Sequence, residues 1–319
     1  MAEPFKMVFL DAATVGLVDN LAEISSLGDY TSYEITLPDE RIERIKGHNV
    51  VITNKVVIDR DVMDACPGLE LICVAATGMN NIDLTYAAKK GITVKNVAGY
   101  STESVTQCTF SMLFFLLSGS VYYDNYVKSG QYAASPVFTH LDRPFWELKG
   151  KLFGIIGMGT IGKRVAGIAS AFGAKVAYTS TSGKNLHAAG YPHLPLQELL
   201  RTADVVSIHC PLNDQTRNLL DESRLRLMKP TAYLLNMGRG GIVDETALAR
   251  ILDENRIAGA ALDVLSGEPI AADSPLLKVR RPEKLFITPH IAWASLEARH
   301  RLIAKTAENI KTYFEKKIK

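Results

Sequence analysis

Gly154-Ile155-Ile156-Gly157-Met158-Gly159-Thr160-Ile161-Gly162 places three glycines at GxGxxG spacing directly after the apolar run Lys151 to Gly157. The run reads as a buried strand. Ile161, Val165, Ala169 and Phe172 then recur at helical spacing, so the glycines fall on a strand-to-helix turn. In that context each glycine has a job. Gly157 makes the tight turn, Gly159 lets backbone approach a pyrophosphate, and Gly162 packs helix on strand, while the free N–H groups of the helix start face the anion. Nucleotide binding is the reading this supports.

Downstream, the same grammar repeats. Lys175 to Ser180, Asp204 to Cys210, Ala232 to Asn236, Gly259 to Val264 and Leu285 to Thr288 read as further strands, with a short amphipathic helix over Asp244 to Leu252. Strands alternating with helical crossovers predict a doubly wound parallel sheet. The first hundred residues repeat the pattern more loosely, with strands expected at Met7 to Leu10, His48 to Thr53, Glu70 to Ala75 and Thr93 to Val97. Two long helices, Ser101 to Ser118 and Ser295 to Phe314, are the expected connections between two α/β domains.

The chain has 319 residues, enough for two domains of ordinary size. Its 36 Lys and Arg nearly balance 34 Asp and Glu, so no strong net field points to nucleic acid or membrane. The longest uninterrupted apolar run, Met112 to Leu117, is far short of the ~20 residues of a membrane span. Asp11 interrupts the start, which does not read as a signal peptide. Four cysteines, Cys66, Cys73, Cys108 and Cys210, form neither a CxxC pair nor zinc-ligand spacing, and the seven histidines contain no HExxH pair. A cytoplasmic protein without a metal site is the expectation.

An NAD site usually carries an acidic residue at the end of the second strand, about 20 residues beyond the glycines, for the ribose 2′-hydroxyl. Here the segment is Tyr178-Thr179-Ser180-Thr181-Ser182-Gly183-Lys184. Hydroxyls and one cation would not repel a 2′-phosphate, which leans the cofactor to NADP or to weak discrimination within NAD(P)H. The alternative is a polar loop whose Lys184 faces water.

Ligands of open α/β sheets bind beyond the carboxyl ends of the strands. Arg239 follows one late strand, Glu268 the next and His290 the last. Singly, each has a bland reading as a surface ion pair or a turn residue. Jointly they suit hydride transfer at a 2-hydroxy or 2-keto acid. Arg239 can grip a carboxylate and polarise the adjacent carbonyl, His290 can take and return the hydroxyl proton, and Glu268 can orient the imidazole.

GIIGMGTIG from Gly154, HCPLNDQT from His209, NMGRGGIVDE from Asn236, ALDVLSGEP from Ala261 and TPHIAWAS from Thr288 resemble the ordered signatures of the NAD(P)-dependent D-2-hydroxyacid dehydrogenases, nearest the glycerate dehydrogenase or hydroxypyruvate reductase branch. The resemblance spans nearly the whole chain. It implies a Rossmann nucleotide-binding domain, residues 102–289, inserted in a flavodoxin-like substrate domain, residues 1–101 completed by 290–319. It makes Arg239, Glu268 and His290 the catalytic three. Cofactor contacts fall on Gly157, Gly159, Thr160, Ile161, Gly162, Ser180, Cys210, Pro211, Met237, Gly238 and Ala292, with Asp263 holding the nicotinamide carboxamide. Thr77, Gly78 and Met79, with Arg239, would bind the substrate, and pairing into a homodimer is expected.

Several positions can be set against the family's pattern, Asn80 as a structural difference and the others for cofactor or substrate. Asn80 and Ser180 stand where the family often has acids, and Glu268 stands where the wider group's formate dehydrogenases carry Gln. Asn54, Lys55 and Trp293 resemble glycerate and hydroxypyruvate enzymes, so hydroxypyruvate or glyoxylate reduced to D-glycerate or glycolate is the expected reaction. D-lactate and phosphoglycerate dehydrogenases are alternatives within the class. A non-enzymatic rival is a nicotinamide-sensing corepressor of the same fold, which turnover would exclude.

Overall fold

A computed structural model describes residues 5–183 and 190–318. The chain divides into two compact units: residues up to Ser101 together with those from Ala294, and Thr102–Trp293. Both are parallel α/β sheets.

In the first unit β1 (Lys6–Phe9), β2 (Asp29–Ser32), β3 (Val50–Thr53), β4 (Leu71–Val74) and β5 (Thr93–Asn96) are ordered β2-β1-β3-β4-β5, the flavodoxin-like order. The central strands β3 and β4 are buried throughout and are correspondingly continuous apolar runs. The edge strand β2 was not expected from the sequence. Its residues, Asp-Tyr-Thr-Ser, are exposed or half-buried and lack both an apolar run and a clean alternation. The helix Leu296–Ile318 completes this unit, burying Leu302, Ile303, Ala307, Ile310 and Phe314, and Asn309 Nδ2 donates to Asn96 O at 3.0 Å.

In the second unit β6 (Leu152–Ile156), β7 (Lys175–Thr179), β8 (Val205–Ile208), β9 (Tyr233–Asn236), β10 (Gly259–Leu262) and β11 (Leu285–Ile287) are ordered β11-β10-β9-β8-β6-β7. Beyond β7 the place of a further strand is taken by a single parallel bridge, Tyr178 to His193, with Tyr178 N donating to Pro192 O and Leu194 N to Tyr178 O. Counting that bridge, the strand order reverses between β6 and β8, which puts the switch point of the sheet at the glycine turn. The apolar helix Thr102–Leu117 lies in this unit and buries Val105, Phe110, Met112 and Leu113. No single helix among the described residues is long and apolar enough to cross a membrane.

One boundary differs from the reading of the sequence. Residues 290–293, assigned there to the returning segment, stay with the second unit. Ile291 and Ala292 donate their N–H groups to Asp263, and Ala292 O accepts from Ser104 Oγ at 2.6 Å, which ties the stretch to β10 and to the helix Thr102–Leu117.

Candidate active site

The glycine turn closes the second unit's switch point. Gly157 has φ +96° and donates its N–H to Thr179 O; a Cβ there would lie 2.7 Å from Cys210 N. At Gly162 a Cβ would meet Gly157 O at 2.2 Å, so the helix Thr160–Ala171 presses directly on the turn. Gly159 is different, because nothing lies within 4 Å of the position a Cβ would take. That open space faces a helix start with no acidic residue in its first turn. Among the described residues the N–H groups of Gly159, Thr160 and Ile161 have no protein acceptor. A pyrophosphate fits this turn by charge and by space.

Other positions expected at the cofactor surround the turn. Cys210 is buried against it, and burial pushes its thiol up to about 11, so it is an uncharged wall. Pro211 O accepts from Thr216 Oγ1 at 2.7 Å, fixing the loop after β8. Met237 is buried, and a Cβ on Gly238 would lie 2.8 Å from Cys210 O, so the loop after β9 packs on the loop after β8. Ser180 follows β7 half-buried. Lys184 lies outside the described residues.

Arg239, Glu268 and His290 follow the carboxyl ends of β9, β10 and β11, three adjacent strands. Arg239 is half-buried and its Nη1 donates to Gly238 O at 2.9 Å. Asn236 braces that turn from both sides, donating from Nδ2 to Arg239 O and accepting Gly238 N at Oδ1. Gly240 packs so closely on the next loop that a Cβ would fall 1.8 Å from Leu265 O. From there Leu265 N donates to Glu268 Oε1 at 3.0 Å. The other oxygen, Oε2, lies 2.7 Å from His290 Nδ1. His290 itself sits at φ +57°, a left-handed conformation uncommon outside glycine and held here by its surroundings.

Much of that holding is done by Asp263. Its Oδ1 accepts from Thr288 Oγ1 at 2.6 Å, Ile291 N at 2.9 Å and Ala292 N at 3.0 Å, with Oδ2 also 3.0 Å from Ala292 N. Burial pushes its carboxyl up, opposed by these bonds and by nearby His290. The resemblance gives Asp263 a nicotinamide contact. The structure adds a role that spacing could not reveal: it shapes the stretch on both sides of His290.

The loop Thr77-Gly78-Met79 belongs to the first unit, after β4. Thr77 Oγ1 donates to Val97 O, Asn96 Nδ2 donates to Thr77 O, and Met79 O accepts Ile82 N. Among the described residues the N–H groups of Thr77, Gly78 and Met79 have no protein acceptor. Adjacent backbone N–H groups without a protein acceptor are the kind of donors that anions meet.

Comparisons with known proteins bear on the family and the fold. Residues 110–292 match the family model described as D-isomer specific 2-hydroxyacid dehydrogenase, NAD binding domain. The chain is 35% identical to a glycerate dehydrogenase of Methylorubrum extorquens, over 97% of this chain and 96% of that one. It is also 35% identical to a hydroxypyruvate reductase of Blautia hydrogenotrophica, over 97% of both chains. Among solved structures, an acyclic imino acid reductase in complex with NADPH and D-Arg superimposes with a TM-score of 0.88 at 30% identity, covering 98% of each chain.

Proposed function

The chain belongs to the D-isomer specific 2-hydroxyacid dehydrogenase family, and from that membership we propose that it reduces hydroxypyruvate or glyoxylate to D-glycerate or glycolate with NAD(P)H. The observation that carries the reading is the 2.7 Å pair of His290 Nδ1 and Glu268 Oε2 beyond the strand ends of a nucleotide-binding sheet. Bound reduced nicotinamide supplies the hydride for the keto carbon. With Nδ1 turned to Glu268, His290 keeps Nε2 for the substrate oxygen and delivers to it the proton that completes the hydroxyl. Glu268, held at Oε1 by Leu265 N, fixes the orientation of the imidazole for that delivery. Arg239 polarises the keto oxygen through its guanidinium. The substrate carboxylate goes to the N–H groups of Thr77, Gly78 and Met79.

For the cofactor, Gly157, Gly159, Thr160, Ile161 and Gly162 would hold the pyrophosphate, with Cys210 and Pro211 near the adenosine. Met237, Gly238, Asp263 and Ala292 would line the nicotinamide end. NADP is favoured over NAD, because Thr179, Ser180, Thr181 and Ser182 offer hydroxyls and no carboxylate where a 2′-phosphate would lie. The protein is proposed to act in the cytoplasm, whose reducing conditions suit four free cysteines. It is proposed to pair with a second copy through the apolar surface of residues 121–145, where Phe138 is 89%, Leu141 75% and Phe145 62% exposed.

The test is consumption of NADPH and NADH with hydroxypyruvate, glyoxylate, pyruvate and phosphohydroxypyruvate offered separately. Fast turnover of the first two, better with NADPH, is the expected result. Cofactor binding without reduction of any keto acid would overturn the enzymatic reading and favour a sensor.

A further inference from the structure

Asp11, just beyond the end of β1, is 4% exposed, and its carboxylate collects hydrogen bonds from a neighbouring turn. Oδ1 accepts Asn54 N at 2.9 Å; Oδ2 accepts Lys55 N at 2.6 Å, Val56 N at 3.3 Å and Thr53 Oγ1 at 3.3 Å. A buried carboxylate is costly unless such donors surround it, so carboxylate and turn fix each other. Packing gives the turn little help on one side. Lys55, Val56 and Val57 there line a cavity of about 690 Å³ beyond the ends of β1, β2 and β3.

The same turn supports the loop after β4. Asn81 Nδ2 donates to Val56 O at 2.9 Å, Ile58 N donates to Asn81 O at 2.9 Å, and Asp83 N donates to Ile58 O at 3.1 Å. Ile82 N in turn donates to Met79 O at 3.0 Å. Hydrogen bonds and the short stretches of backbone between them therefore link Asp11 through residues 53–58 and Asn81 to Met79 O, at the end of the loop that carries the N–H groups of Thr77, Gly78 and Met79.

We propose that Asp11 and Asn81 are positioning residues for the substrate carboxylate, acting through the turn 53–58 to hold the N–H groups of residues 77–79 in their anion-binding arrangement. The proposal rests on the substrate-loop reading above. Neither residue touches the substrate. Their effect comes from orientation, in which a displacement of about 1 Å costs on the order of a hundredfold.

The experiment compares Asp11→Asn, Asp11→Ala and Asn81→Ala with the unaltered protein in three measurements: KM and kcat for glyoxylate, Kd for NADPH, and the inhibition constant of oxamate, a carboxylate isostere of a 2-keto acid. Asp11→Ala is expected to raise KM and the oxamate constant about tenfold or more, with the NADPH Kd within twofold. Asn81→Ala should move the same two constants. Asp11→Asn keeps one acceptor oxygen and should fall between. A lowered Tm with KM and the oxamate constant unmoved in Asp11→Asn, Asp11→Ala and Asn81→Ala would mean a merely structural role and overturn the proposal. Backbone hydrogen exchange in the unaltered protein separates the underlying reading. Oxamate should protect the amides of residues 77–79 in the presence of cofactor. Absence of protection would leave Asp11 nothing to position and overturn both; protection with unmoved constants would overturn the positioning role alone.

Discussion

His290 Nδ1 and Glu268 Oε2 lie 2.7 Å apart, and Glu268 Oε1 is separately occupied by Leu265 N, so the carboxylate cannot turn without breaking a second bond. The imidazole is thereby held from one side only, its other nitrogen left for chemistry. Glu268→Gln removes the charge while keeping an oxygen for Leu265 N. Turnover should drop about 10- to 100-fold, and His290→Ala should drop it about 10²- to 10⁴-fold, the range of a lost general acid. Steady-state kcat with saturating NADPH measures both. Equal activity of either variant and the parent would remove the pair from the mechanism.

Arg239→Lys preserves charge but not the planar fork that can bond a carboxylate or carbonyl at two points. The expected result is a raised KM together with a kcat lower by about tenfold or more, read from full saturation curves. Kd for NADPH, by fluorescence titration, should change less than twofold. A variant with parental kcat/KM would show that Arg239 does not meet the substrate.

Two glycines three positions apart should respond oppositely to the same methyl group. Gly162→Ala drives a Cβ to within 2.2 Å of Gly157 O, a backbone atom that cannot step aside, and should destabilise the protein by about 1–3 kcal/mol. Gly159→Ala meets no protein atom within 4 Å and should leave Tm unchanged while weakening NADPH binding, because the methyl occupies space left for the phosphates. Thermal melts and cofactor titrations of the two variants distinguish these outcomes. A stable Gly162→Ala protein with tight cofactor binding would contradict the packing described.

His209 supplies a pH dependence. Its Nε2 lies 2.8 Å from Ser207 Oγ, its Nδ1 is buried without a hydrogen-bond partner among the described residues, and burial pulls the imidazole down from 6.5 to about 3. Unfolded, the ring takes a proton below pH 6.5; folded, it does so only near pH 3. The unfolded state therefore binds more protons between those values, and stability falls as the pH is lowered through that window. The loss from this residue is about 2 kcal/mol by pH 5. Urea denaturation at pH 7 and pH 5 should show His209→Asn losing that much less than the parent, and parallel losses would refute the assignment.

The second unit was legible because its signals are local. A buried strand is a run of apolar residues, a helix start needs its glycines at fixed offsets, and Gly157, Gly159 and Gly162 show both within nine residues. Arg239, Glu268 and His290, the proposed catalytic trio, were legible as three polar residues after late strands, and the structure pairs Glu268 with His290. The edge strand Asp29–Ser32 escaped because a strand exposed on one edge needs no apolar pattern. Asp11 drew notice only for interrupting an apolar start. Its partners are more than 40 residues away, and no spacing rule links a carboxylate to the backbone N–H groups of another loop. For the same reason no local signal ties residues 290–293 to β10: the bonds from Ile291 and Ala292 to Asp263 cross 28 and 29 positions.

The placement of the helix Leu296–Ile318 bears on synthesis. As the chain leaves the ribosome, strands β1 to β5 emerge well before the helix that covers them. Thr102–Trp293 is one contiguous stretch, whereas the first unit draws on two stretches separated by it. Until Phe314 arrives to stack on Phe5, apolar surface beside β4 stays open to water and to other chains. Removal of part of Leu296–Ile318 therefore damages strands translated some two hundred residues earlier.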